Sequence, residues 1–167
     1  MGVALEVNTL AAELVAMLQA QDKTFATAES CTGGAISQAV TSVSGCSSVM
    51  RGAVVAYHND VKSGVLGVGK DTLSKYGAVS EEVVIQMVSG VSALLGADCA
   101  VATSGIAGPG GGTLEKPVGT VWIAAKVGSD IKTRLLRLED AGRAANVKNS
   151  VVEALRLVLG MLSSDVG

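Results

Sequence analysis

Aromatic side chains are nearly missing from this 167-residue chain: one Phe, one Trp and two Tyr make up 2% of it. With 49% of its residues hydrophobic, the core has to be built from Ala, Val, Leu and Ile. Proline is as scarce, at two residues against 21 glycines, so loops rely on positive φ and close backbone approach rather than rigid turns. The single histidine, His58, gives a histidine-based triad only one candidate, so base chemistry is expected from lysine, carboxylate or tyrosine. The three cysteines, Cys31, Cys46 and Cys99, have no metal-ligand spacing, and neither a metal nor a cofactor is expected. A net charge of −2, without Lys/Arg clusters among aromatics, argues against nucleic acid as a partner. No apolar run is read as long enough to cross a membrane, and the first six residues lack a basic region leading into an apolar core. Thiols in a chain read this way fit a reducing cytoplasm. The length suits one domain spanning residues 1–167.

The stretch Ala26–Thr27–Ala28–Glu29–Ser30–Cys31–Thr32–Gly33–Gly34 stands out from this background. It leaves a β-rich run and enters the helical pattern Ala35–Val40 through small polar residues. The plainest reading is a helix start capped by Ser30 or Thr32. The other reading places a nucleophile beside unpaired helix amides that favour a developing oxyanion.

Periodicity predicts a helix over 5–21, with Asn8 or Thr9 as its cap, a strand over 23–28 and a helix over 32–43. A loop over 44–48 leads to a second strand at Gly52–Tyr57, then to short helices near 59–66 and 70–76. Ser80, followed by Glu81 and Glu82, starts a helix that stops at Gly96. A third strand follows at 98–103, then an irregular glycine-rich segment over 104–116. A hairpin joins strands at 119–127 and 131–138, and a closing helix covers 143–162. Helical crossovers imply parallel strands and the hairpin implies one antiparallel strand. The expected fold is a three-layer α/β/α domain with a five-stranded mixed sheet. The first three strands then end at Glu29–Ser30–Cys31, Tyr57–His58–Asn59 and Ser104–Gly105–Ile106, all on the edge where parallel sheets bind ligands.

Two nucleophiles compete there. Ser30 needs a base, and Lys62 suits the role if burial lowers its pKa, with Tyr57 to orient it or relay a proton. Cys31 would gain from a helix N-terminus, and Glu29, Lys62 and Cys31 supply the residue types of a nitrilase-like set. As a small hydrophobe, Cys31 fits the core equally well. The residues alone leave this choice open. The loop Ser104–Gly105–Ile106–Ala107–Gly108–Pro109 offers backbone amides for a phosphate, with Lys116 and Arg143 as cations near the same edge.

Taken together, these segments, with Tyr57-x-Asn59-x-x-Lys62, Gly77–Ala78–Val79–Ser80 and Lys116–Pro117–Val118–Gly119–Thr120–Val121, resemble the CinA C-terminal domain, the nicotinamide-nucleotide amidases, in their stand-alone form. The resemblance covers roughly residues 8–162. It implies the same α/β/α fold and metal-independent hydrolysis of nicotinamide mononucleotide to nicotinate mononucleotide and ammonia. It makes Ser30 the nucleophile, assisted by Lys62 and Tyr57. It places the substrate, a small pyridine nucleotide, among Glu29, Cys31, Thr32, Gly33, Gly34, Asn59, Ser104, Gly105, Ile106, Gly108, Lys116 and Arg143. Ser104 stands where many members have threonine. Val147, followed by Lys148, stands where a second arginine is usual, which expects Lys148 to work from a different helix face. The competing reading is a nucleotide- or partner-binding module that uses the same edge without turnover. An Ala/Val-rich α/β domain is also expected to self-associate, most simply as a dimer.

Overall fold

The computed structural model describes residues 2–165. Five strands form one sheet in the order β2-β1-β3-β4-β5: β1 Phe25–Glu29, β2 Met50–Val55, β3 Cys99–Gly105, β4 Thr120–Val127 and β5 Asp130–Arg137. β1 pairs in parallel with β2 and β3, whereas β4 runs antiparallel to both of its neighbours. Six helices cover the faces: α1 Val3–Ala20, α2 Ala35–Thr41, α3 Asn59–Gly64, α4 Lys70–Tyr76, α5 Glu81–Leu95 and α6 Arg143–Ser164. This is the expected three-layer architecture with one antiparallel strand.

Strand alternation divides the sheet into two unlike faces. Phe25, Cys99, Val101, Val121, Ile123, Ala125 and Val127 point into a core shared with α1, α2 and α6. Ala26, Ala28, Ala100, Ala102 and Ala124 point the other way, under Val83, Val84, Met87, Val88 and Val91 of α5. The poverty in aromatics is therefore local in its effect: one face is paved with alanine, and α5 lies close upon it. α1 corrects one expectation. At 18 residues it is long and apolar enough to cross a membrane, but its buried stripe Ala11, Leu14, Val15 and Leu18 belongs to the α6 side of the core.

Three boundaries differ from the pattern-based ones for identifiable reasons. α2 begins three residues later than expected because Gly33 and Gly34 adopt φ of 59° and 98°, which turns residues 31–34 into a tight bend. β2 begins at Met50, with a register shift that leaves Arg51 unpaired, and ends at Val55 opposite Glu29, the last residue of β1, so Tyr57 falls in the loop beyond the strand. α1 begins at Val3 with Gly2 as its cap, and Thr9 is interior, its hydroxyl donating to the Leu5 carbonyl at 2.9 Å. The start of α5 is as expected, with the Ser80 hydroxyl accepting from the Val83 amide at 3.4 Å.

The chain goes from β1 to β2 on one side and then crosses back to β3 on the other. The carboxyl ends of β1 and β3 therefore flank the point where the winding reverses, the usual crevice for a ligand in such sheets.

α5 is also packed closely by the segment that follows α3. A methyl group at Gly90 would lie 1.9 Å from the Leu66 carbonyl oxygen. Alanine exceeds glycine as a helix former by about 1 kcal/mol, but a contact with rigid backbone outweighs that gain. Gly90→Ala is expected to lower stability by about 1–3 kcal/mol, seen as a lower urea midpoint at unchanged slope.

Candidate active site

β1 carries two polar side chains in succession, and alternation sends them to opposite faces. Glu29 goes to the α2 side and is fully buried. Its Oε1 accepts from the Thr32 hydroxyl at 2.7 Å and the Ile36 amide at 2.8 Å. Its Oε2 accepts from the Thr27 hydroxyl and the Ser37 amide, both at 2.9 Å. The carboxylate thus caps α2 from inside the preceding strand. Neither Ser30 nor Thr32 is the cap, and Glu29 has no face left for a substrate. The remaining first-turn amide, Ala35, donates to the Thr32 carbonyl at 2.9 Å. The amides of α2 are therefore occupied and hold no oxyanion, contrary to the expectation.

A directional chain runs behind this cap. The Thr32 hydroxyl gives its one proton to Glu29, so Thr103, 2.8 Å away, donates to Thr32. Cys31 packs in the α1–α2–α6 core, and among the described residues no side-chain hydrogen bond ties its thiol to this chain. Burial pushes the Cys31 thiol up to about 11, with the nearby Glu29 carboxylate adding to the effect. Cys31 is thus a protonated core residue rather than a thiolate, and the nitrilase-like Glu29–Lys62–Cys31 set does not form.

Ser30 goes to the opposite face, where α3 brings Lys62. Lys62 is only 1% exposed, and its Nζ donates to Ser30 Oγ at 3.1 Å, to the Ala56 carbonyl at 2.9 Å and to the Tyr57 carbonyl at 3.3 Å. No carboxylate is among its partners. Burial pulls the Lys62 ammonium below the usual lysine range. α3 reaches this position because His58 caps it, Nδ1 accepting from the Asp60 amide at 3.2 Å. The lone histidine is a cap.

A cleft of about 220 Å3 opens over the dyad, lined by Ser30, Cys31, Tyr57, Asn59, Lys62, Ala78, Val79, Ser104, Gly105, Ala107 and Arg143. The Ser104 hydroxyl is spent on the Ala78 carbonyl at 2.7 Å and fixes the turn that forms one wall. Tyr57 does not orient Lys62 through its side chain: its exposed hydroxyl accepts from Arg143 across the cleft. Arg143, at the start of α6, also donates to the Gly108 carbonyl at 2.8 Å.

Several expected site residues fall elsewhere. Thr32, Gly33, Gly34, Ile106 and Gly108 do not line the cleft. Lys116 turns its Nζ to the Tyr76 carbonyl at 2.7 Å and borders a separate groove with Tyr76, Val79 and the half-buried Trp122. Lys148 borders an apolar groove with Arg143 and Val147 and does not line the cleft. That groove, about 610 Å3 between α1, α2 and α6, is the larger depression, but it contains no nucleophile. Pattern reading missed Thr27, Thr103 and Asn146. Asn146 is fully buried, and its amide nitrogen donates to the Ala107 carbonyl at 3.1 Å, tying α6 to the glycine-rich loop. Hydroxyls at buried strand positions were the available signal for the threonines; Asn146 gave none.

The family model of the CinA C-terminal domain matches residues 7–162. A CinA-like protein of Cytophaga hutchinsonii is 47% identical over 153 residues, which are 92% of this chain and 36% of that protein. A CinA-like protein of Thermotoga maritima is 58% identical over 110 residues, 66% of this chain and 27% of its own length. The chain thus spans about a third of the length of these relatives. Among solved structures, the competence/damage inducible protein CihA of Agrobacterium tumefaciens superposes with a TM-score of 0.92 at 39% identity, covering 95% of this chain and 96% of that one. A CinA superfamily protein of Klebsiella pneumoniae gives 0.91 at 34% identity, with coverage of 95% and 98%.

Two outcomes follow from the site's division between faces. Glu29→Ala strands two amides and two hydroxyls in the interior, each costing about 1–3 kcal/mol; a loss of at least about 3 kcal/mol is expected in chemical denaturation. In maleimide labelling of the folded protein at neutral pH, followed by mass spectrometry, the half-buried Cys46 reacts first. Cys31 and Cys99 are expected to react only on unfolding.

Proposed function

The chain belongs to the CinA C-terminal domain family, and on that footing we propose that it is an amidohydrolase acting on the carboxamide of nicotinamide mononucleotide. The observation that supports this reading most directly is the contact of the buried Lys62 Nζ with Ser30 Oγ at 3.1 Å. A lysine with two carbonyls and a hydroxyl as its only partners, removed from water, is poised to lose its proton and act as a base. The resemblance supplies the identity of the substrate. The geometry supports the chemistry.

Ser30 Oγ attacks the carboxamide carbon while its proton passes to the neutral Lys62 Nζ, and the carbonyl π pair moves onto oxygen. The tetrahedral intermediate collapses, the C–N bond breaks, and Lys62 returns the proton to the leaving nitrogen, which departs as ammonia. Water then attacks the Ser30 ester with Lys62 taking its proton. Collapse restores the serine hydroxyl and releases the carboxylic acid. The cleft is smaller than the roughly 300–1,000 Å3 of pockets that enclose a whole ligand, so it would take the reacting ring and leave the ribose phosphate outside, toward Arg143.

Ser30→Ala is expected to abolish ammonia release from nicotinamide mononucleotide while leaving the circular dichroism spectrum unchanged; Cys31→Ala should keep activity within a few fold. The reverse result would move the nucleophile to the thiol. Tight nucleotide binding in calorimetry with no ammonia formed would instead favour the binding-module reading. Lys62→Met should cost about 10²–10⁴-fold in kcat, without rescue by Lys62→Arg, because a guanidinium does not deprotonate. With the base active only when neutral, kcat/KM should rise with pH along an acidic limb, at a midpoint below the ordinary lysine range that burial sets.

A further inference from the structure

The amidase reading leaves one role without a residue: the donor that holds the oxyanion. The α2 amides are taken by Glu29 and by the Thr32 carbonyl. From the geometry of the sheet where β1 ends, we infer that the backbone N–H of Gly105 is that donor.

β1 and β3 exchange parallel-sheet hydrogen bonds in a register that pairs Glu29 with Thr103. The last rung is the Ser30 amide donating to the Thr103 carbonyl at 3.0 Å. In a parallel ladder, a residue whose carbonyl faces one neighbour sends the amide two residues on to the same side. The next rung would therefore be the Gly105 amide donating to the Ser30 carbonyl. It is not made. The Ser30 carbonyl has turned away with the bend and accepts from the Gly33 amide at 3.0 Å. On the other side of β3, Ile106 donates to the Thr120 carbonyl at 2.9 Å, which confirms by alternation that the Gly105 amide faces β1. Among the described residues this amide has no acceptor, and Gly105 lines the cleft beside Ser30 and Lys62.

Three features make this more than a missing bond. The open rung lies at the point where the winding of the sheet reverses, so no strand follows to fill it. A Cβ at position 105 would lie 2.6 Å from a Val121 methyl and 2.8 Å from the Thr120 carbonyl oxygen, so no side chain can sit there. Finally, the bond is missing because β1 bends away at the nucleophile itself. The turn that exposes the Ser30 hydroxyl is also what frees the amide opposite it. As Ser30 Oγ bonds to the carboxamide carbon, the oxygen that receives the π pair enters the gap, and the Gly105 N–H donates to it.

This assignment rests on the amidase reading, and the test separates the two. Semisynthesis with glycolic acid in place of Gly105 turns that N–H into an ester oxygen and changes no side chain. The N–H supports no bond in the fold and the ester only weakens the Ser104 carbonyl as an acceptor, so the melting temperature should fall less than in the ester at Ile106, while kcat for nicotinamide mononucleotide falls about 10²–10³-fold at similar KM, the usual cost of one oxyanion donor. The Ile106 ester, whose lost N–H does hold the sheet, should lower the melting temperature more and leave kcat within a few fold. A Gly105 ester of near-normal kcat, or one that melts as low as the Ile106 ester, would overturn the assignment and leave the Ser30–Lys62 dyad standing. If the unmodified protein releases no ammonia from this substrate, the amidase reading falls and the assignment with it.

Discussion

The arrangement at the head of the sheet depends on one carboxylate. Glu29 is wholly buried yet accepts four hydrogen bonds, two from hydroxyls and two from the amides that open α2. A buried carboxylate is tolerable only when its oxygens are met by donors, and here three of the four donors come from the segment that follows Ser30. The helix start is thereby fastened to the strand end, and the five residues between have to bend. Ser30 heads that bend.

The same alternation that buries Glu29 on one face delivers Ser30 to the other, and this separates two adjacent nucleophiles by environment. Cys31 lies in an apolar core, where burial holds it protonated. Ionising it would place a second negative charge near Glu29. Ser30 meets a lysine that burial has made a weaker acid-holder. Proximity in sequence therefore says little about which atom reacts, whereas the parity of the strand says a great deal.

Much of this was legible in the residues. The order of helices and strands, the mixed sheet with its single antiparallel strand, and the gathering of strand ends on one edge follow from periodicity and glycine placement. Ser30, Tyr57, Lys62, Ser104, Gly105 and Arg143 do share one cleft. What failed were the directions of side chains on loops. Lys116 was near the right edge in sequence, but its ammonium turns to the Tyr76 carbonyl, a choice made by a loop fold that no periodic pattern encodes. Glu29 was read as a substrate contact, but the bend after it brings Thr32, Ile36 and Ser37 back onto its oxygens beside Thr27, and no periodic pattern encodes that return. Asn146 gave no pattern at all, since its partner, the Ala107 carbonyl, belongs to backbone about forty residues away.

Trp122 is the only indole in the chain. It sits opposite Ser104 in the β3–β4 register, and its groove shares Val79 with the cleft wall. Cross-strand partners point to the same side of a sheet, so the ring lies on the face that carries the Ser30 hydroxyl, two strands along from β1. Poverty in aromatics thus has an optical consequence. The intrinsic emission of this protein is a single-position signal, free of background from other indoles and placed beside the site where a ligand would change its surroundings.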